Sequence, residues 1–152
     1  GTNGIQSLDL VGRKLMIKGG RLPKSYFRVM HRILANVETD EHKHDCKGLL
    51  NTLQNSLMWL AGNAVQDADV LGSAATPVLK LFSLTTMAVM WANMANIAAK
   101  DLNTGKYSQD FYQGKMKAAD HFFRTAKAQA ELLHADITAG KESLMNFTED
   151  QF

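Results

Sequence analysis

The run Glu41-His42-Lys43-His44-Asp45-Cys46 holds the densest set of potential metal ligands and bases in the chain. Ligands two apart on a helix diverge by roughly 200°, so His42, His44 and Cys46 converge on one ion only if the segment is a loop. The reading adopted is a solvated helix start with no metal. His121 and His134 stand alone, with no serine, cysteine or carboxylate at a spacing that suggests a triad, although another helix could supply a partner. Asp120 and Arg124, four apart, are placed to pair on a helix face. Met87, Met90 and Met94 with Trp91 could line an acyl or cofactor cavity; at this spacing adaptable core filling is the preferred reading. Asn93 and Asn96 could line a pocket, but a buried Asn bonded to a neighbouring element is preferred.

These residues need elements to position them, and composition says which kind. The 152 residues are 45% hydrophobic and 21% charged, close to globular averages, which argues against disorder. Only Pro23 and Pro77 are prolines, and no stretch alternates with period two for long. An all-α domain follows. The single cysteine, Cys46, excludes an intramolecular disulfide and fits a reducing compartment, here taken as cytoplasmic. The opening residues lack the basic start and apolar core of a signal or transit peptide. With no initiator Met, the chain is read as a piece of something longer.

Punctuation divides the chain into helices. Thr2 or Asn3 caps a short helix over residues 5–15, with Ile5, Leu8 and Leu15 on one side, ended by Gly19 and Gly20. Pro23 opens a second helix carrying Tyr26, Phe27, Met30, Ile33, Leu34 and Val37, which stops near residues 36–39. A third begins around Asp40 with the seam Cys46, Leu50, Leu53, Leu57, Leu60 and Ala64, bounded by Gly72. Thr76 and Pro77 launch a fourth to about Lys100. Residues 103–105 turn, and Ser108 caps the last long helix, with Asp110 in its first turn. Its inner face is read as Phe111, Ala118, Phe122, Ala126, Ala130, Leu133 and Ile137, with Gly140 as the stop. Residues 141–152, with Leu144, Met145, Phe147 and Phe152, are read as a tail that docks. Short connections imply an up-down-up-down four-helix bundle preceded by a short N-terminal helix.

Residues 81–99 contain no charge over a length that could cross a bilayer. Ser83, Thr85, Thr86, Asn93 and Asn96 weaken that reading, and a buried bundle helix is preferred, with Ala88, Ala92, Ala95 and Ala99 as a small-residue stripe. The net charge of +2 hides an asymmetry. Arg13, Lys14, Lys18, Arg21, Lys24, Arg28 and Arg32 face Asp9 alone within residues 1–32, a local +6 that leaves −4 for the remainder. Such a patch could meet phosphate or an acidic surface, but few aromatics interleave it, so nucleic acid is not expected as a partner.

The opening Gly1-Thr2-Asn3-Gly4-Ile5-Gln6-Ser7-Leu8-Asp9-Leu10-Val11-Gly12-Arg13-Lys14-Leu15 resembles a segment of the acyl-CoA dehydrogenases, where Tyr-Glu-Gly-Thr is followed by Asn-Gly-Ile-Gln. The run from Met90 to Ala95, and that from Asp110 to Lys115 with Ala118, Phe122 and Phe123 beyond it, are similar to the C-terminal helical extension of one branch of that family. The resemblance implies residues 1–20 as the end of the catalytic domain's helix and linker, and residues 21–152 as the C-terminal bundle domain.

The family's glutamate base would sit immediately before Gly1, outside the chain, so no catalytic residue is assigned within it. Thr2 is carried over as the one flavin-proximal residue. The implied parent is an FAD-dependent enzyme that oxidises an acyl-CoA to a 2-enoyl-CoA and passes electrons to a carrier protein. The fragment itself is expected to hold no FAD or metal, to be inactive alone, and to pack against the rest of the enzyme, with a second subunit as a further partner. Arg13, Lys14, Lys18 and Arg21 would contact those bodies. The alternative is a free-standing helical interaction module that binds a partner helix along residues 88–99.

Overall fold

A computed structural model describes residues 2–151, apart from the side chain of Met145. Gly1 and Phe152, with the motif alignment and tail docking assigned to them, lie outside the described residues, as does any docking by the Met145 side chain. Among the described residues all regular structure is helical: α1 (Thr2–Asp9), a π-helical turn (Leu10–Lys14), α2 (Arg21–Ala35), α3 (Asp40–Ala64), α4 (Asp69–Asp101), α5 (Gln109–Thr138), α6 (Glu142–Met145) and a 3-10 turn (Glu149–Gln151).

Two pairs of cross-helix hydrogen bonds fix the bundle's direction. His42 Nε2 lies 3.0 Å from Asp120 Oδ1, and Ser56 Oγ 2.8 Å from His134 Nδ1, both 78 positions apart. A constant offset over fourteen residues means that α3 and α5 run parallel at a fixed register, since both rise by the same amount per residue. Tyr26 meets Thr85, and Asn96 meets Asn36, at offsets of 59 and 60, so α2 and α4 are parallel as well. With short turns between successive helices, this is the up-down-up-down bundle expected from the sequence.

The central element is α4, which packs against α1, the π-helical turn, α2, α3 and α5. Ala74, Val78, Leu81, Ala88, Val89 and Ala92 are buried along it, and the stripe of small residues brings the partner helices close. The stripe ends at Ala98 rather than Ala99, which is exposed. By length and composition α4 could cross a membrane, but here it forms the packed centre of the bundle.

The α4 start departs from the expected one. Gly72 and the Thr76-Pro77 pair lie inside the helix, which begins at Asp69. Asp67 Oδ1 accepts the Asp69 N–H at 3.1 Å, so the first turn is capped upstream, and buried Val70, Ala74 and Ala75 reward the two extra turns before Pro77. That burial outweighs the helical bond Pro77 cannot make. The end of α3 is correspondingly earlier, at Ala64.

Of the expected inner face of the N-terminal helix, Ile5, Leu8 and Leu15, it is Leu15 that packs against the core. Ser7 and Val11 are buried, while Ile5 is 69% and Leu8 54% exposed. Ser7 Oγ satisfies itself on the Gly4 carbonyl at 2.8 Å, which lets a hydroxyl face the core. The wider π turn, marked by Leu15 N–H to Leu10 C=O at 2.9 Å, rotates the helix so that Val11 points inward. Gly19 and Gly20 end the segment at φ 61° and 76°, left-handed values that glycine adopts without strain.

Ser108 caps α5 as expected, accepting the Phe111 N–H at 3.2 Å. Phe111 itself is exposed, and the inner face is Tyr112, Ala119, Ala126, Ala130 and Ile137, one position on at its start. Gly140 ends the helical run at φ 80°. Beyond it the tail is tied down at its base, where Lys141 Nζ bridges Asp67 and Asp69 of the α3–α4 turn. Leu144 and Phe147 keep more than half of their surface open.

Candidate functional site

The run from His42 to Cys46 starts a helix, as expected, but it is not a solvated one. His42 is 7% exposed and Cys46 fully buried, because they are four apart and extend the buried seam of α3 by one turn. His42 stacks on Phe123 at 4.6 Å between ring centroids. Its Nε2 faces Asp120, and its Nδ1 is buried with no partner among the described residues. His44 points away and remains exposed. Among the described residues no three His, Cys, Asp or Glu side chains gather into a metal-holding group.

Asp120 therefore faces His42 across the bundle and makes no ion pair with Arg124. The other lone histidine also finds its partner across α3 and α5. Ser56 Oγ, 2.8 Å from His134 Nδ1, also donates to the Thr52 carbonyl at 2.8 Å. A serine has one proton; spent on Thr52, it leaves the hydroxyl to accept from His134 Nδ1–H. Ser56 is 0% exposed, so no substrate atom can reach it. This arrangement is a packing tie, not a nucleophile and base. Both pairs escaped the sequence reading, although His42 and Ser56 lie on the seam through Cys46, Leu49 and Leu53 and were legible as inward positions.

Cys46 is chemically silent for a related reason. Burial, with Asp45 adding to it, pushes its thiol up to about 12, so almost none is thiolate near neutral pH. Tyr26, also held high by burial, ties α2 to α4 through Thr85 Oγ1 at 2.8 Å and Thr86 Oγ1 at 3.0 Å. Asn96 is the buried, helix-bridging amide expected; Asn93 is half-buried.

Two surfaces remain that can bind something. The first is an open apolar groove of about 750 Å³ between the π turn, the start of α2 and the end of α3, with Leu15, Pro23, Phe27, Leu57, Met58 and Val65 in its walls and Lys24 at its rim. The second is the face of α4 that carries Met87, Met94 and Ile97, exposed by 50%, 37% and 49%. Met87 and Met94 were read as core filling; the buried side of α4 is made by Ala88, Ala92 and Ala95 instead, leaving the methionines outward. A smaller cavity of about 210 Å³ lies between α3 and α5 beside His44, Thr52 and Lys127.

Thr2 sits exposed in the first turn of α1 and lines neither the groove nor the smaller cavity. The walls of the groove are mainly apolar, with Lys24 and Gln54 as the polar side chains among its lining residues. Of the basic set, Arg13 and Lys14 are engaged with Asp9, at 2.6 and 3.1 Å. Lys18, Arg21 and Lys24 are exposed and make no ion pair among the described residues.

Comparison with known proteins gives one family match. The model of the family described as acetyl-CoA dehydrogenase C-terminal like matches residues 26–148, from α2 through the start of the tail. No curated protein matches the chain.

Proposed function

The chain belongs to the acetyl-CoA dehydrogenase C-terminal-like family, and from that premise we propose that its parent is an FAD-dependent acyl-CoA dehydrogenase that converts an acyl-CoA to a 2-enoyl-CoA. The family match over residues 26–148 carries this reading. In it, the 152 residues are a structural and docking domain: they buttress the catalytic body and contribute no base. The catalytic glutamate belongs immediately before Gly1, and Thr2, in the first turn of α1, lies nearest the flavin that the rest of the enzyme holds.

The structure supports a docking role through what it leaves uncovered. Ile5 and Leu8 point outward from α1, and Met87, Met94 and Ile97 from α4, more large apolar surface than a lone small domain benefits from exposing. The partners of this reading are the rest of the dehydrogenase chain and a second copy, with acyl-CoA and an electron-carrier protein serving the parent in the cytoplasm. Neither nucleic acid nor a membrane span enters it.

Two measurements test the proposal. The coding sequence on the Gly1 side should specify glutamate directly before Gly1; any other residue there removes the assigned base. The purified 152-residue chain should show no flavin absorbance and reduce no acceptor dye with acyl-CoA. Yellow protein with turnover would overturn the docking role.

A further inference from the structure

The outward side of α4 repeats with the period of a coiled-coil seam, and we propose that it pairs antiparallel with the same side of a second copy of this chain. Met87, Met90, Met94 and Ile97 follow one another in steps of three and four, and Lys80 and Asp101 lie one heptad before Met87 and one after Met94. At helical geometry these six share a stripe roughly 100° wide. Met87, Met94 and Ile97 are exposed along it and Met90 is half-buried, while Ala88, Ala92 and Ala95 take the opposite, packed side. The ends of the stripe carry opposite charge. Residues 81–99 hold none. Lys80 and Asp101 make no ion pair among the described residues, whereas the neighbouring Lys100 is taken by Glu38 at 2.7 Å.

The spacing of these groups fits a two-fold axis. Lys80 and Asp101 are equally far from the point midway between residues 90 and 91, and so are Met87 and Met94. An axis through that point sets Lys80 level with the partner's Asp101 at each end and Met87 level with the partner's Met94 between them. A parallel pair would instead set lysine on lysine and aspartate on aspartate, so the charges select the antiparallel arrangement. Thioether side chains fill the middle and adapt to an opposing helix. The contact is isologous and closed, which limits the assembly to two chains. It is only one helix pair wide, so the isolated chain should associate weakly, with a Kd on the order of 10–100 μM. The pairing rests on the docking role proposed above, and gives the second copy of that reading a surface and an orientation.

Sedimentation equilibrium of the 152-residue chain tests it, and the mass should rise from monomer to dimer with concentration. Lys80→Glu or Asp101→Lys alone sets like charges together at both ends and should weaken the dimer about tenfold, less in high salt. The double swap should restore it, yet not mix with wild type. Met94→Glu should abolish association. None of these side chains belongs to the core, so circular dichroism of the dilute monomers should match wild type. Cross-linking reads the orientation, with the buried Cys46 left in place. Met87→Cys chains mixed with Met94→Cys chains should form a mixed disulfide. Lys80→Cys chains should not link to one another, since antiparallel pairing holds the two positions roughly 30 Å apart along the axis. A chain that stays monomeric up to about 1 mM would leave this face to another body, such as the catalytic one, and overturn the pairing. So would self-linkage of Lys80→Cys chains, a dimer indifferent to Met94→Glu, or a double swap that restores nothing. None of these readouts involves flavin or turnover, so failure of the pairing and failure of the dehydrogenase reading are told apart.

Discussion

Asn96 in α4 donates from Nδ2 to the Asn36 carbonyl at 3.0 Å and accepts the Glu38 N–H at 2.9 Å, so one buried side-chain amide closes the turn between α2 and α3. Asn96→Ala leaves both backbone groups without that partner. The expected loss is about 1–3 kcal/mol, read as a lower midpoint in urea with an unchanged slope. Asn96→Asp should rescue little, because its second oxygen would face the Asn36 carbonyl where a donor now sits. A wild-type midpoint for the alanine variant would show that the amide is not what closes the turn.

Leu53 is fully buried at the centre of the α3 seam. Leu53→Ala should destabilise by about 2–5 kcal/mol, the lost transfer energy plus the cavity left behind. Met87→Ala on the exposed face of α4 should stay within about 0.5 kcal/mol of the parent, because it opens no cavity. Comparable losses at the two sites would contradict the assignment of inner and outer faces.

Cys46 is buried, and its thiol is pushed up to about 12. A thiol reagent at mildly alkaline pH should label it only as fast as the fold opens, and rapidly once denaturant is added. Labelling of the native chain at the rate of a free thiol would place Cys46 at the surface.

Asp9 accepts from Arg13 Nε at 2.6 Å and Nη2 at 3.0 Å and pairs with Lys14 Nζ at 3.1 Å, and these bonds lower its carboxyl from 3.8 to about 2. The folded value lies below the unfolded one, so the stabilisation is present above pH 3.8 and is lost as pH falls towards 2. Thermal melts of wild type and Asp9→Asn should differ near neutral pH, more at low salt, and converge across that acid window. A gap that persists at the acid end would have to come from something other than the carboxylate.

Helix existence was legible because it rests on local signals, while facing and register rest on tertiary ones. Ser108 announced its helix, and the alternating steps through Cys46, Leu50, Leu53 and Leu60 announced the buried side of α3. Pro77 misled because a first-turn proline and an interior proline read alike until the burial of Val70 and Ala74 is known. Met87 and Met94 misled for a different reason, whereas Met90 packs against the core as expected. On a helix without charges every face reads as inward, and only packing shows that alanines take the contact side. For the site, the +6 segment was visible in composition, but the groove beside it requires α2 and α3 to meet. Likewise, nothing in a single chain announces an offset of 78 residues, so the partners of His42 and His134 had to come from geometry.

The position of α4 at the centre of the bundle has a consequence for synthesis. Within this stretch of chain a ribosome releases α1, α2 and α3 before α4, the helix on which α1 and α2 rest. Until residue 101 has cleared the exit tunnel, Leu34, Leu50 and Leu53 have no complete surface to close against, and the nascent segment stays open to chaperones. A stall or rare-codon pause before α4 would therefore lengthen the vulnerable interval, whereas one after it would leave most of the core already in place.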